Sequence, residues 1–204
     1  MAYKKYNNKK IKEVLHLKVR KINIFKDIVV PPIQISQRLA LNLEAAKVLN
    51  LNTEKAVCEH LVSPVLTEVR LNNENVVDFY SGEQLNVDAS KDLNGEIDFL
   101  FSRASESLGF DAPILCITEA KIGLIDRGIP QAAAQMYGVR LFNEKEGKPL
   151  KTVYGAVTDG KTWRFLKLED DILYTDVEIL YLDNLHLLLG TLQWIINFYK
   201  NSAL

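Results

Sequence analysis

Three charged side chains stand within or at the end of apolar runs in the middle of the chain. Asp98 interrupts the apolar segment 97–101. Glu119 and Lys121 follow the apolar run 114–117. Because side chains alternate between the two faces of a strand, Glu119 and Lys121 point the same way. Charges at the end of a buried strand cost free energy unless they are paired or bound to a metal ion. The pattern therefore indicates a site and not a solvated surface.

The two carboxylates require a cation if their strands are neighbours. Asp98 and Glu119 would then converge, and two carboxylates in close contact do not both ionise readily without a positive charge between them. A hard cation held by few carboxylates and several waters is typical of Mg²⁺ or Mn²⁺. The alternative is a surface ion pair between Glu119 and Lys121, worth under about 1 kcal/mol. The apolar residues ahead of both motifs favour the metal site.

The order of these motifs resembles that of the PD-(D/E)XK nuclease superfamily. Asp98 precedes the tripeptide Glu119-Ala120-Lys121, and Gln131 lies in the helix expected directly afterwards. An isoleucine precedes Asp98 where the superfamily has proline, a departure that the superfamily tolerates. The resemblance covers residues 53–168. It implies a restriction endonuclease-like core, an α/β (α+β mixed sheet) fold in which helices flank a central mixed β-sheet.

Charge then suggests a role for each motif residue. Asp98 and Glu119 would hold the metal ion, with the carbonyl oxygen of Ala120 as a further ligand. Lys121 would orient the attacking water or stabilise the developing negative charge. Gln131 would hold that water or a neighbouring phosphate. The expected activity is hydrolysis of phosphodiester bonds in nucleic acid, with Mg²⁺ or Mn²⁺ as the cofactor.

Two of the positions have open alternatives. On a helical wheel of the helix expected over 53–69, Glu54 falls on the apolar face and Glu59 lies beyond its edge. In the superfamily a glutamate on the helix before the strands often completes the metal site, and the placement of Glu54 resembles this; Glu59 is the alternative ligand. An acid in the first helical turn is also favoured by the helix dipole without any metal. Gln135, one turn after Gln131 on the same face, is the alternative to Gln131, and both could simply be polar surface residues.

Hydrophobic periodicity and turn residues predict the elements that position these motifs. Helices are expected over 36–49, 53–69, 130–138 and 184–200. Strands are expected over 76–80, 84–87, 96–102, 114–121, 153–158, 162–168 and 172–177. Ser81-Gly82 is expected to turn the chain between the first two strands, and Asp159-Gly160 is a strong hairpin signal. Without an internal repeat or linker, residues 1–204 are expected to form one domain.

Charge is unevenly distributed along the chain. The net charge of −1 is a caution, since nucleic-acid binders are often strongly basic. Residues 1–26 nevertheless hold nine lysines and arginines and a single acid, Glu13. If the basic N-terminal segment 1–30 contacts phosphates, we expect deletion of 1–26 to weaken nucleic-acid binding without greatly changing the fold. The alternative is a solvated, partly disordered start.

Further features set the expected partners and location. Cys58 and Cys116 lie in apolar runs without metal-ligand spacing, which favours reduced, buried thiols in a cytoplasmic protein. The most apolar stretch, 185–199, is too short and too often interrupted to span a bilayer, so no membrane partner is expected. The expected partner is nucleic acid, with DNA as the first choice, and a homodimer is left open. The alternative function is a non-catalytic nucleic-acid-binding or regulatory protein with the same nuclease-like fold.

Overall fold

An open mixed sheet forms the centre of the computed structural model, which describes residues 2–30 and 33–201. Its strands, in chain order, are β1 (Lys18–Ile22), β2 (Val77–Gln84), β3 (Glu96–Arg103), β4 (Ile114–Ala120), β5 (Thr152–Thr158), β6 (Thr162–Glu169), β7 (Ile172–Asp176) and β8 (Leu180–Tyr181). Their order across the sheet is β1-β7-β6-β5-β4-β3-β2, with β8 paired to β6. The pairs β4–β5 and β1–β7 are parallel, and the other neighbours are antiparallel. The expected α/β fold with a mixed sheet flanked by helices is confirmed.

Helices cover both faces of the sheet. They are α1 (Asn8–Glu13), α2 (Gln37–Ala46), α3 (Glu54–Val57), α4 (Ser63–Leu71), α5 (Ile129–Lys145) and α6 (Leu185–Asn201). One hydrophobic cluster joins α1 and α5 to the sheet, and a second joins α2, α4 and α6 to the opposite face. The expected C-terminal helix 184–200 is therefore confirmed as α6. In the described part of the chain, no helix combines the length and the apolar character needed to cross a membrane.

A π-helical turn, Cys58–Val62, connects α3 to α4 without a break in the helix. The N–H of Ser63 bonds to the carbonyl of Cys58, five residues earlier. Pro64 follows and has no N–H to donate, so the regular ladder is interrupted at this point in any case. The expected helix over 53–69 is thus present, with Thr53 accepting the N–H of Ala56 at its start.

Strand β4 lies inside the sheet and is buried along its whole length. Ile114 and Ile117 belong to the cluster beneath α5, whereas Leu115 and Cys116 belong to the cluster on the other face. The prediction of a central strand buried on both faces is confirmed. Since β4 and β5 are parallel and joined through α5, their carboxyl ends meet at the same edge of the sheet.

Two glycines have different roles from those the sequence suggests. The turn expected at Ser81-Gly82 is wrong, because β2 continues through Gly82 and pairs with β3 on both sides of it. Helix α5 does not end at Gly138 but continues to Lys145. A Cβ atom at Gly138 would lie 2.5 Å from the hydroxyl oxygen of Tyr3, so this glycine permits a close approach inside the helix. The Asp159-Gly160 hairpin, by contrast, is confirmed between β5 and β6.

The basic N-terminal segment is part of the fold, and the expectation that 1–26 could be deleted without greatly changing the structure is wrong. Tyr3, Ile11 and Leu15 are buried in the cluster beneath α5. Strand β1 then extends the sheet beside β7. The lysines and arginines of the segment occupy exposed or half-buried positions between these buried residues. The composition of the segment is therefore basic although the segment packs on the core.

We expect Ile11→Ala to lower the free energy of unfolding by about 2–4 kcal/mol, because Ile11 is fully buried and truncation leaves a cavity. Lys12→Ala, at the exposed neighbouring position, should change it by less than about 0.5 kcal/mol. Urea denaturation of both variants measures the difference. Equal stabilities would show that the N-terminal segment is not packed on the core.

Candidate active site

Asp98 lies where regular strand pairing is interrupted on both sides. The ladder between β3 and β4 ends at the pair Phe99–Thr118. Beyond it, the Asp98 carboxylate accepts the backbone N–H of Ala120 at 2.8 Å, in place of a strand carbonyl. On the other side, Gly82 of β2 has a φ of +74° between two regular pairs with β3. The hydrogen bond between the Asp98 carboxylate and the Ala120 N–H therefore fixes Asp98 beside the end of β4.

Glu119 is fully buried between a cation and an amide. Its Oε1 atom lies 2.8 Å from the Nζ atom of Lys121, which directly follows β4. Its Oε2 atom accepts a hydrogen bond of 2.7 Å from the Nε2 atom of Gln135, which α5 carries over the strand. Both sides of the carboxylate are therefore held by groups on elements that the core fixes in place.

Lys121 connects the carboxylate pair to the helix before the strands. Its Nζ atom lies 3.6 Å from Oε1 of Glu54, in the first turn of α3. Its aliphatic stem passes over Gly128, where an added Cβ atom would lie 2.8 Å from Cγ of Lys121 and 2.6 Å from Cγ1 of Val157. Gly128 therefore leaves the space that the lysine stem fills.

Burial sets the protonation of the carboxylates. It raises the pKa of Glu119 to about 7, with the charge of Asp98 adding to the rise and Lys121 and Gln135 opposing it. Burial likewise raises the pKa of Asp98, against the hydrogen bond from Ala120 and the charge of Lys121. For Lys121, burial lowers the pKa, but the neighbouring carboxylates outweigh it and the net shift is upward. The ionised carboxylates of Asp98 and Glu119 thus destabilise the folded protein, and a second positive charge would reduce that destabilisation.

The oxygen atoms at the site fit a hard divalent cation. Oε1 of Gln135 is buried without a hydrogen-bond partner within the described residues, and Oε1 of Glu119 is buried with the Lys121 ammonium group 2.8 Å away. Carboxylate and amide oxygens are the donors that Mg²⁺ and Mn²⁺ prefer. Within residues 2–30 and 33–201, no three His, Cys, Asp or Glu side chains are grouped to hold a metal. A cation here would therefore depend on two carboxylates, neutral oxygens and water.

The structure brings together most of the residues that the sequence singles out. Asp98, Glu119 and Lys121 converge, with Ala120 between them. Of the two helix glutamates, Glu54 contacts Lys121. Oε1 of Glu59 instead lies 3.8 Å from Nζ of Lys55 on the exposed side of the helix.

The expected contact from Gln131 is replaced by one from Gln135. Gln131 is buried near the start of α5 but makes no hydrogen bond to either carboxylate within the described residues. Four residues, about 6 Å along the helix axis, separate the two amides. The position of α5 on the sheet places the later one over Glu119.

Three positions near the site escape the sequence analysis. The thiol of Cys58, on the π-helical turn, has its pKa raised to about 12 by burial and by the nearby charges of Asp98, Glu119 and Glu54. The positive charge of Lys4 lowers the pKa of Asp98, against the stronger effect of burial. The third is Gly128. Only Cys58 has a sequence signal, because it lies one turn after Glu54 on the same helix face.

The fold and the site define a class of protein on their own. The chain is an α/β protein with an open mixed sheet and a buried carboxylate–lysine cluster at one end of two adjacent central strands. Comparison with known protein families gives no match, and comparison with curated proteins gives none either.

We expect the stability of the metal-free protein to fall as the pH rises from about 4.5 to about 7, relative to Glu119→Gln. The pKa of Glu119 is raised from 4.5 to about 7, so within this window the folded state keeps a proton that the unfolded state releases. Urea denaturation in chelator at several pH values measures this. Glu13→Gln, on the exposed N-terminal helix, is the control and should follow the wild-type profile. A wild-type profile parallel to that of Glu119→Gln would contradict the prediction.

We expect Gly128→Ala to displace Lys121, because the new methyl group would overlap the lysine stem and Val157. Overpacking of this kind costs about 1–3 kcal/mol of stability. Gly109→Ala is the matched control, since an added Cβ atom there meets nothing within 4 Å. Thermal melting of both variants distinguishes the two sites, and identical melting temperatures would show that the lysine stem does not occupy this space.

Proposed function

We propose that the protein is a metal-dependent nuclease that hydrolyses phosphodiester bonds of nucleic acid, with DNA as the first substrate to test. The observation that carries the proposal is the convergence of Asp98, Glu119 and Lys121 at the end of two adjacent central strands, with Glu119 fully buried. Two acids and a cation in this arrangement are suited to binding a metal ion and a phosphate together.

The energetic cost of the cluster supports a functional role. A buried ion pair is weak evidence for stability, because desolvation offsets its Coulombic attraction. Here the pKa of Glu119 is raised to about 7, so ionising this carboxylate at neutral pH opposes folding. Strongly shifted acids beside a specific cation are a recognised mark of functional sites.

Each residue has a distinct task in the proposed reaction. Asp98 and Glu119 would hold the metal ion, which supplies polarisation of the phosphate and acidification of a bound water. Lys121 orients that water or neutralises charge developing on the phosphate. Gln135 fixes the Glu119 carboxylate through its 2.7 Å hydrogen bond. Glu54 is placed to accept Lys121 when the ammonium group moves away from Glu119.

The arrangement of the sheet supports membership of the PD-(D/E)XK superfamily, which is part of the same proposal. The strand with Asp98 is antiparallel to the strand with Glu119-Ala120-Lys121, and the following helix crosses to a parallel strand. This is the order of motifs on which the resemblance rests. The free thiols of Cys58 and Cys116 support a cytoplasmic location within the proposal.

We expect the purified protein to cleave DNA with Mg²⁺ or Mn²⁺ and to lose all cleavage in chelator. Lys121→Ala should lower the rate by about 10²-fold or more, because it removes a charge at the reacting phosphate. It should still bind Mn²⁺ by calorimetry, since the ammonium group is not a ligand. The cleavage assay uses plasmid, single-stranded and branched DNA as separate substrates.

Glu59→Gln is the matched control, because this glutamate is on the same continuous helix as Glu54 but, within the described residues, forms its ion pair with Lys55 and not with Lys121. It should cleave at the wild-type rate. Cleavage by Lys121→Ala at the wild-type rate would remove the assignment. DNA binding by the wild type without cleavage in either metal would favour the non-catalytic alternative.

A further inference from the structure

Ala2 and Tyr3 are fixed beside the start of β3. The backbone N–H groups of Ala2 and Tyr3 donate to the carbonyl of Asn94 at 3.1 and 3.3 Å. The Tyr3 hydroxyl donates to the carbonyl of Leu85 at 3.1 Å, and the side chain is fully buried. Lys4 follows this anchor directly and is exposed, with its positive charge acting on Asp98. A flexible amine thus directly follows a backbone anchor at Asn94, four residues before Asp98 in the chain.

A cleft of about 490 Å³ lies beside the segment 124–127, a few residues after Lys121 in the chain. Residues 6–8 line one wall, and residues 124–127 and Pro130 line the other. The second wall is continuous with the site, because Gly128 in the same segment packs against Lys121. The cleft therefore begins next to the reacting groups.

The lining of the cleft favours a negatively charged ligand. Arg127 is exposed, and its guanidinium group has no hydrogen bond or ion pair within the described part of the chain. The acid that lines the cleft, Asp126, is paired with Arg164, whose Nε atom lies 2.8 Å away. Leu124 is 66% exposed at the same wall. Free guanidinium groups bind phosphates.

Other basic residues of the N-terminal segment are not available in the same way. Lys5 and Lys10 both pair with Asp92, at 3.0 and 2.5 Å. Lys18 and Arg20 lie on β1, at the far edge of the sheet from β3. Within the described residues, the side chains of Lys4 and Arg127 are thus cations that no acid pairs with.

We infer that Lys4 and the cleft with Arg127 form one binding surface for the sugar–phosphate backbone of the nucleic-acid strand that is cleaved. This inference rests on the proposed nuclease function and names the surface on which its substrate lies. Lys4 and Arg127 each contact a phosphate of that strand.

The test measures the binding of a fluorescent DNA oligonucleotide at several salt concentrations, with Ca²⁺ in place of Mg²⁺. Arg127→Gln and Lys4→Gln should each weaken binding and reduce the magnitude of the salt slope by about 0.7–0.9, the loss of one phosphate contact. Arg127→Glu should weaken binding further. Lys12→Gln, an exposed lysine on α1, is the matched control and should leave affinity and slope unchanged. Melting temperatures verify that the variants are folded.

Wild-type salt slopes in both Arg127→Gln and Lys4→Gln would overturn the inference, as would an equal loss in Lys12→Gln. If the wild type cleaves DNA and the slopes are unchanged, the nuclease stands and this surface is wrong. If the two variants reduce the slope but the wild type cleaves nothing with Mg²⁺ or Mn²⁺, the surface stands and the nuclease is wrong. A wild type that binds no DNA would contradict both.

Discussion

The contact between Glu119 and Lys121 inside the fold is the interaction on which the other features of the site depend. A fully buried carboxylate is tolerable only if a cation and hydrogen-bond donors reach it. Lys121 directly follows the strand that contains Glu119, and α5 supplies Gln135. The start of α5 must then lack a side chain at Gly128 so that the lysine stem can pass. One buried charge thus constrains a strand, a helix and the junction before it.

The sequence predicts the parts of this arrangement that are governed by local pattern. Asp98 and Glu119 can be recognised because a charge in an apolar strand needs a partner wherever that strand lies. The choice between Gln131 and Gln135 cannot be made in this way, because both share a helix face and only the docking of α5 on the sheet decides which amide reaches the carboxylate. The structural role of Gly82 cannot be predicted for a related reason, since a glycine with a positive φ occurs both in turns and in irregular strands.

Charge conceals the structure of the N-terminal segment. The nine basic residues among the first 26 dominate its composition, and no long amphipathic period links Tyr3, Ile11 and Leu15. These side chains lie in a short 3₁₀ turn, in α1 and in the residues after it, so each is buried by tertiary contacts and not by a regular pattern. The alternation of buried and exposed side chains that identifies a strand is likewise absent from β1, because its five residues are all exposed at the edge of the sheet.

The π-helical turn at Cys58–Val62 has a geometric consequence for the whole cluster. It inserts one residue into a helical turn, and one residue corresponds to about 100° of rotation around the axis. Glu54 on α3 therefore points in a direction that a regular helix would not give it relative to Val65 and Val69 on α4, which pack in the second hydrophobic cluster. A single continuous helix can consequently aim an acid at Lys121 from one end while its other end keeps an apolar face on the sheet.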